Sequence, residues 1–303
     1  MEGLKSRAVA LIVCLVLILV GWFGGSAIQA MNGGALITAK ASGLKADTVV
    51  MQVGDADVTA GEYLYWLASV CDGFYQYYGI SDWSMAMTAD LTVGDYATAQ
   101  ADDYATQYAA VELLAKEQGI TLSEEQAAVM DSMHEYYVEY YGSEEVYRYM
   151  LAYAGLNEEL LKKDSTVPYL YANLCQKLLA EGGELEPTEE NLAAFAERNS
   201  YTDLGEEELL SYYEDTSYGA VYDYVNDYIS GLEITKTESY EAIDVASFYP
   251  ALLELRSALD VPETDASSAE VPQRRAEFAV NTRSGEDPFR VFLYKNDKIG
   301  KRR

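Results

Sequence analysis

The stretch from Val49 to Leu67, VVMQVGDADVTAGEYLYWL, restricts the fold more than any other part of the chain. Its first five residues, Val49 to Val53, are a short β-prone run, Gly54-Asp55 can turn the chain, and Thr59-Ala60-Gly61-Glu62 has capping-box spacing. In that arrangement the threonine hydroxyl accepts from a first-turn N–H, and the glutamate reaches back to the cap residue's own N–H. Tyr63, Leu64, Trp66, Leu67 and Val70 then form an apolar stripe at helical spacing. A strand this close to a capped helix needs a partner from elsewhere. The comparable β-prone run far downstream is Leu232 to Tyr240. The two are expected to pair, with the intervening helices packed around them.

Start and stop signals divide the rest into helices. One runs from Thr59 to Tyr78, followed by a loop through Asp82-Trp83-Ser84. A second spans Val93 to Gln118 and stops at Gly119. Ser123 to Gln126 is another capping box, opening a third helix that ends at Gly142. Ser143 caps a short helix through Ala154, and Asn157 opens a longer one that Pro168 should kink before Gly182-Gly183. Pro187-Thr188 begins a helix through Arg198, and a last long helix covers Glu206 to Ile229. The fold class expected is mainly α, with a small pairing of N- and C-terminal strands.

The N-terminus implies export. Lys5 and Arg7 precede an uncharged run that lasts to Lys40, and basic residues before an apolar segment favour keeping that end in the cytoplasm. Residues 1–30 read as a single-pass membrane anchor or a cleaved signal peptide, placing the body on the extracytoplasmic side. Residues 31–46 read as a Gly/Ala/Ser-rich tether, 47–260 as the helical body, and 261–303 as a linker and basic tail. From Gln273 onward nine Lys/Arg face four acids, a local net of +5. The whole chain of 303 residues carries a net charge of −29, which argues against nucleic acid as a partner.

Sites for chemistry are sparse. His134-Glu135 begins like a zinc-protease motif, but Val138 stands where the second histidine belongs. Asp55-x-Asp57-x-Thr59 starts like a calcium loop, yet Ala60 and Trp66 occupy the positions that require Gly and Glu. No metal, cofactor or catalytic residue is expected. Cys71 and Cys175 read as two buried free thiols, with a disulfide as the alternative. Tyrosine is abundant, 27 residues against 7 Phe. Tyr136/Tyr140, Tyr137/Tyr141, Tyr218/Tyr222 and Tyr224/Tyr228 recur at i,i+4 spacing. Such pairs can line an aromatic cradle or pack one helix on another.

The order of the helix starts resembles the extracytoplasmic foldases of the SurA/PrsA type. The opening strand-turn-helix is similar to theirs, with Gly54-Asp55 where the family has Asn-Gly. Further similarity lies in Gly119-Ile120-Thr121-Leu122-Ser123-Glu124-Glu125, in Gly142-Ser143-Glu144-Glu145 with Gly155-Leu156-Asn157-Glu158-Glu159-Leu160, and in Pro187-Thr188-Glu189-Glu190-Asn191-Leu192. The resemblance covers about Val49 to Ile243. In the enzyme members a parvulin prolyl-isomerase domain follows the last of these helix starts. Here only Asn199 to Gly205 lies at that point, so the isomerase domain is missing. The resemblance implies a chaperone that binds unfolded or nascent secreted polypeptides without a cofactor; from the aromatic pattern, Trp83, Tyr136, Tyr140, Tyr218 and Tyr222 are expected to make the contacts. Kinship alone would make it a prolyl isomerase. A third reading is a surface-anchored scaffold for one dedicated partner.

Overall fold

The computed structural model describes residues 36–201 and 203–259. The proposed anchor or signal segment, residues 31–35 of the tether, and the whole of the linker and basic tail lie outside them. Among the described residues no helix is long and apolar enough to cross a membrane.

The β-prone runs pair as expected. β1 (Val49–Val53) is the central strand of a three-stranded antiparallel sheet, flanked by β2 (Ala56–Thr59) and β3 (Ile234–Lys236). The distant register is Met51 opposite Lys236, Gln52 opposite Thr235 and Val53 opposite Ile234. Gly54 makes the β1–β2 turn in the left-handed region at φ 54°, a conformation that favours glycine. Its N–H reaches the carbonyl of Glu233 at 2.8 Å, so the hairpin and the returning chain share a hydrogen bond.

α1 (Ile37–Ser42) precedes the sheet, and α2 (Ala60–Tyr78) follows it directly. At the α2 start the Glu62 carboxylate accepts from both the N–H and the hydroxyl of Thr59, at 2.7 Å each. Tyr63, Leu64, Leu67 and Cys71 are fully buried along α2. They pack against α3 (Val93–Glu117), which offers a ridge of buried alanines at every fourth position, Ala97, Ala101, Ala105 and Ala109. A ridge of methyl groups lets two helices approach closely over several turns.

α4 (Glu124–Asp131) and α5 (Met133–Tyr141) occupy the span expected to be one helix. The break falls at Ser132, whose hydroxyl donates to the Val129 carbonyl three residues back, at 3.2 Å. A serine bonding its own backbone offers an alternative to the helical ladder. The offset lets Met130 and Met133 both reach the core. α6 (Glu144–Ala154) and α7 (Glu158–Leu179) follow, and α7 continues through Pro168 where a kink was expected to mark it.

α8 (Glu189–Asn199) leads to a second correction. The expected helix over Glu206 to Ile229 is two, α9 (Glu206–Tyr213) and α10 (Ala220–Ser230). Between them Asp215 Oδ1 accepts from the Ser217 N–H at 2.7 Å, and the Asp215 carbonyl accepts from the Gly219 N–H at 2.8 Å. Aspartate and serine turn chemistry here outweighs the helical pattern on either side. A short α11 (Glu238–Glu241) and α12 (Val245–Ser257) close the body.

The tether expectation is corrected at its distal end. Ile37, Thr38 and Ala39 of α1 are buried, and α1 packs between α12 and α2. Six residues are too short a stretch for periodicity to reveal, and only tertiary packing stabilises so short a helix. Cys71 and Cys175 are free, buried, and belong to different apolar clusters.

Candidate functional site

The i,i+4 tyrosines divide between surface and core. Tyr136 and Tyr140 of α5 stack at 6.3 Å with their planes 18° apart, and remain 48% and 38% exposed. One residue further round the helix, Tyr137 is buried and stacks on Tyr147 of α6 at 5.9 Å. One pair therefore faces solvent and its neighbour packs one helix on another. On α10, Tyr228 donates to Glu117 Oε1 at 2.7 Å and Tyr224 to Glu184 Oε2 at 3.3 Å, so both are half-buried ties to neighbouring segments. Tyr222 is half-buried on α10. Tyr218 is half-buried too, but it precedes the helix and packs on Tyr212 at 5.6 Å, so the two do not form a helical pair.

Trp83 requires a correction. Expected as a contact for bound polypeptide, it is 3% exposed, edge-on to Tyr249 at 5.1 Å, and its carbonyl accepts from the Gly94 N–H at 2.8 Å. Its indole fixes the loop between α2 and α3 to the core because a large apolar ring gains more by burial than by display. That loop does expose other apolar groups. Tyr75, Tyr77 and Tyr78 at the end of α2, with Met85 and Met87 after it, are between 42% and 71% exposed.

His134 joins three helices. Its Nδ1 lies 2.8 Å from Glu158 of α7 and its Nε2 3.0 Å from Glu144 of α6. The hydrogen bond to Glu158 is the main cause that raises its pKa above the ordinary 6.5; burial opposes it, and attraction from Glu158, Glu144 and Glu135 adds to it. A raised folded-state value means that the ion pairs contribute fully below pH 6.5 and are lost as pH rises through the folded value. With the ring half-exposed, the contribution to stability is small. A proton NMR titration of the single imidazole is expected to give a value above 6.5, falling in Glu158→Gln. A midpoint at or below 6.5 would show the contact absent in solution.

A cleft between α2, α3 and α7 is the feature that sequence reading missed. It encloses about 500 Å³ including its open mouth. Each helix contributes a stripe at i, i+3, i+4 spacing: Glu62, Tyr65 and Trp66 from α2; Ala105, Tyr108, Ala109 and Glu112 from α3; Leu160, Lys163, Asp164 and Val167 from α7. The small alanines of α3 leave the space, and the aromatic rings wall it. Trp66 lies edge-on to Tyr108 at 4.6 Å and stacks on Tyr104 at 4.9 Å.

The polar groups of the cleft are unequally satisfied. Lys163 Nζ pairs with Glu62 Oε1 and lies 3.5 Å from Glu112 Oε2. Burial works against its charge, but these carboxylates outweigh it and its pKa is raised. Burial also pushes Glu112 up, Lys163 opposing and Glu62 adding. Asp164 is 8% exposed and its Oδ2 has no hydrogen-bond partner; the buried Tyr65 hydroxyl has none either. Burial, with repulsion from Glu112 and Glu62, pushes the Asp164 carboxyl up to about 8. At neutral pH it is mainly a neutral acid. The signal available beforehand was charge on each of three otherwise apolar stripes: Glu62, Glu112, and the adjacent Lys163 and Asp164.

No family model, curated protein or solved structure matches the chain. Its functional reading therefore rests on its own surfaces and its own cleft.

Proposed function

We propose that the protein is an extracytoplasmic chaperone that holds unfolded or nascent secreted polypeptides by transient apolar contact, without a cofactor. One observation carries this reading. Among the described residues, the exposed large apolar side chains are chiefly Tyr and Met, concentrated between Tyr75 and Met87 and on the outer face of α5. Tyrosine presents apolar area with a polar tip, and methionine adapts its shape, so both suit many unlike partners. A net charge of −29 favours solubility of the loaded protein. The order of capped helix starts, similar to that of the SurA/PrsA foldases, supports the same reading.

The body, residues 36–259, is expected to suppress aggregation of a reduced client at near-stoichiometric ratio. Replacing Tyr77, Tyr78, Met85 and Met87 together by Ser should weaken that suppression at least about fivefold. The fold should survive, because substitutions of exposed side chains typically change stability by about 0.5 kcal/mol or less each. Undiminished aggregation with the unaltered body would refute the chaperone reading. Accelerated cis–trans conversion of a prolyl peptide in parallel would favour an isomerase instead.

A further inference from the structure

The cleft between α2, α3 and α7 is built like a receptor for a cation rather than like a piece of core. Its acceptors outnumber its donors. Glu62 is already used on both oxygens, Oε2 by Thr59 and Oε1 by Lys163. Glu112 has only Lys163, at 3.5 Å, and Asp164 Oδ2 and the Tyr65 hydroxyl are unpartnered. Buried polar atoms in folded proteins are almost always hydrogen-bonded to protein, ligand or ordered water, so two in one cleft mark a place where a polar ligand can replace water.

The chemistry of that partner follows by elimination. An anion would meet the four carboxyl groups of Asp57, Glu62, Glu112 and Asp164 against the one ammonium of Lys163. A purely apolar ligand would leave Asp164 Oδ2 unpaired in a still drier site, at higher cost. A metal ion does not fit, because among the described residues no three His, Cys, Asp or Glu side chains come together closely enough to hold one. An ammonium group offers three donors and no acceptor, the complement of a lining that carries Glu112, Asp164 and the Tyr65 hydroxyl. Tyr65, Trp66 and Tyr108 supply apolar and π surface for the carbon adjoining the charge.

We propose that this cleft binds an alkylammonium group, held by Glu112 and Asp164 beside the aromatic wall of Tyr65, Trp66 and Tyr108. The inference does not depend on the chaperone reading. The group can belong to a free small amine or to a lysine side chain of a bound polypeptide. Binding requires the carboxylate form of Asp164. The neutral acid of the empty cleft, its pKa raised to about 8, gives up its proton as the ammonium enters. Affinity therefore rises with pH below about 8, by at most about tenfold per unit.

Titration calorimetry of the full chain in detergent, with n-butylamine and with acetyl-Ala-Lys-Ala-amide, tests this. Measurements at pH 6.5 and 7.5, in phosphate and in HEPES, separate proton release from binding heat. At least one probe is expected to bind with release of up to one proton and tighter at the higher pH. Asp164→Asn should abolish the release and weaken binding about tenfold or more. That variant is expected to fold, since it replaces a neutral acid by an amide of the same shape; Glu112→Gln gives an independent loss. Binding of the amine alone assigns the site to small amines, and binding of the peptide assigns it to lysine side chains. No binding by either probe would overturn the proposal. So would binding that survives both variants without proton release, which would mark general attraction to an acidic surface.

Discussion

Asp72→Ala is expected to destabilise the protein by about 3–5 kcal/mol, the cost of leaving a buried charge without its partner. Asp72 on α2 is 1% exposed and Arg256 on α12 is 3% exposed. The guanidinium donates to the carboxylate from both terminal nitrogens, at 2.6 Å and 3.0 Å. Its Nε donates to the Tyr153 carbonyl of α6 at 2.9 Å, and the Tyr149–Tyr153 ring contact adds aromatic packing on that helix. The Tyr249 hydroxyl donates to Asp72 Oδ1 at 2.7 Å. Three helices distant in sequence thus meet at one ion pair. Removing it leaves the Arg256 charge in a dry core and takes away the acceptor of Tyr249.

The pair need not contribute net stability, because desolvating both ions offsets most of their attraction. Asp72→Ala with Arg256→Met should therefore recover more than half of the single-variant loss. Urea unfolding followed by circular dichroism measures both. A midpoint for Asp72→Ala within about 1 kcal/mol of the unaltered protein would refute the geometry, since breaking a buried pair is far costlier than that.

What the sequence disclosed and what it hid divide by distance along the chain. Helix starts at Thr59, Ser123, Ser143, Asn157 and Thr188 were legible because a cap is completed within about four residues. The pairing of β1 with β3 was legible because two β-prone runs stood out in a helical pattern and needed each other. The breaks at Ser132 and at Asp215 to Gly219 were not foreseen. Hydroxyl and carboxylate groups there bond their own backbone inside sequences that remain helical in hydrophobic period. The Asp72–Arg256 pair joins residues 184 positions apart, and the cleft gathers Glu62, Glu112, Lys163 and Asp164 from three helices. Each charge is visible as an exception on an apolar stripe, but nothing local says which exceptions meet. For the tyrosines, period alone gave the same signal to Tyr136 and Tyr137. A rotation of one residue decided which pair faces water.

Gly155→Ala is expected to cost about 2–5 kcal/mol, from two separable causes. Gly155 ends α6 in the left-handed region at φ 76°, where any Cβ costs about 1–2 kcal/mol. A Cβ built there would also lie 2.3 Å from Thr38 Cγ2 and 3.0 Å from its Oγ1, an overlap that adds about 1–3 kcal/mol. Gly79→Ala isolates the first cause, because Gly79 ends α2 at φ 66° with nothing within 4 Å of the added carbon. Thr38→Ala removes the two nearest atoms, Cγ2 and Oγ1, and so relieves most of the second, leaving only the Thr38 Cβ at 3.2 Å. In a double-mutant cycle, Gly155→Ala should be costlier than Gly79→Ala in the unaltered background and nearly equal to it beside Thr38→Ala. The Thr38 change alone should cost little, since the lost methyl contact is offset by removing a buried hydroxyl that has no partner. Equal costs for the two glycine changes in both backgrounds would mean that α1 does not sit against α6. A coupling of about 1–3 kcal/mol would place residues 37–42 inside the cooperative unit.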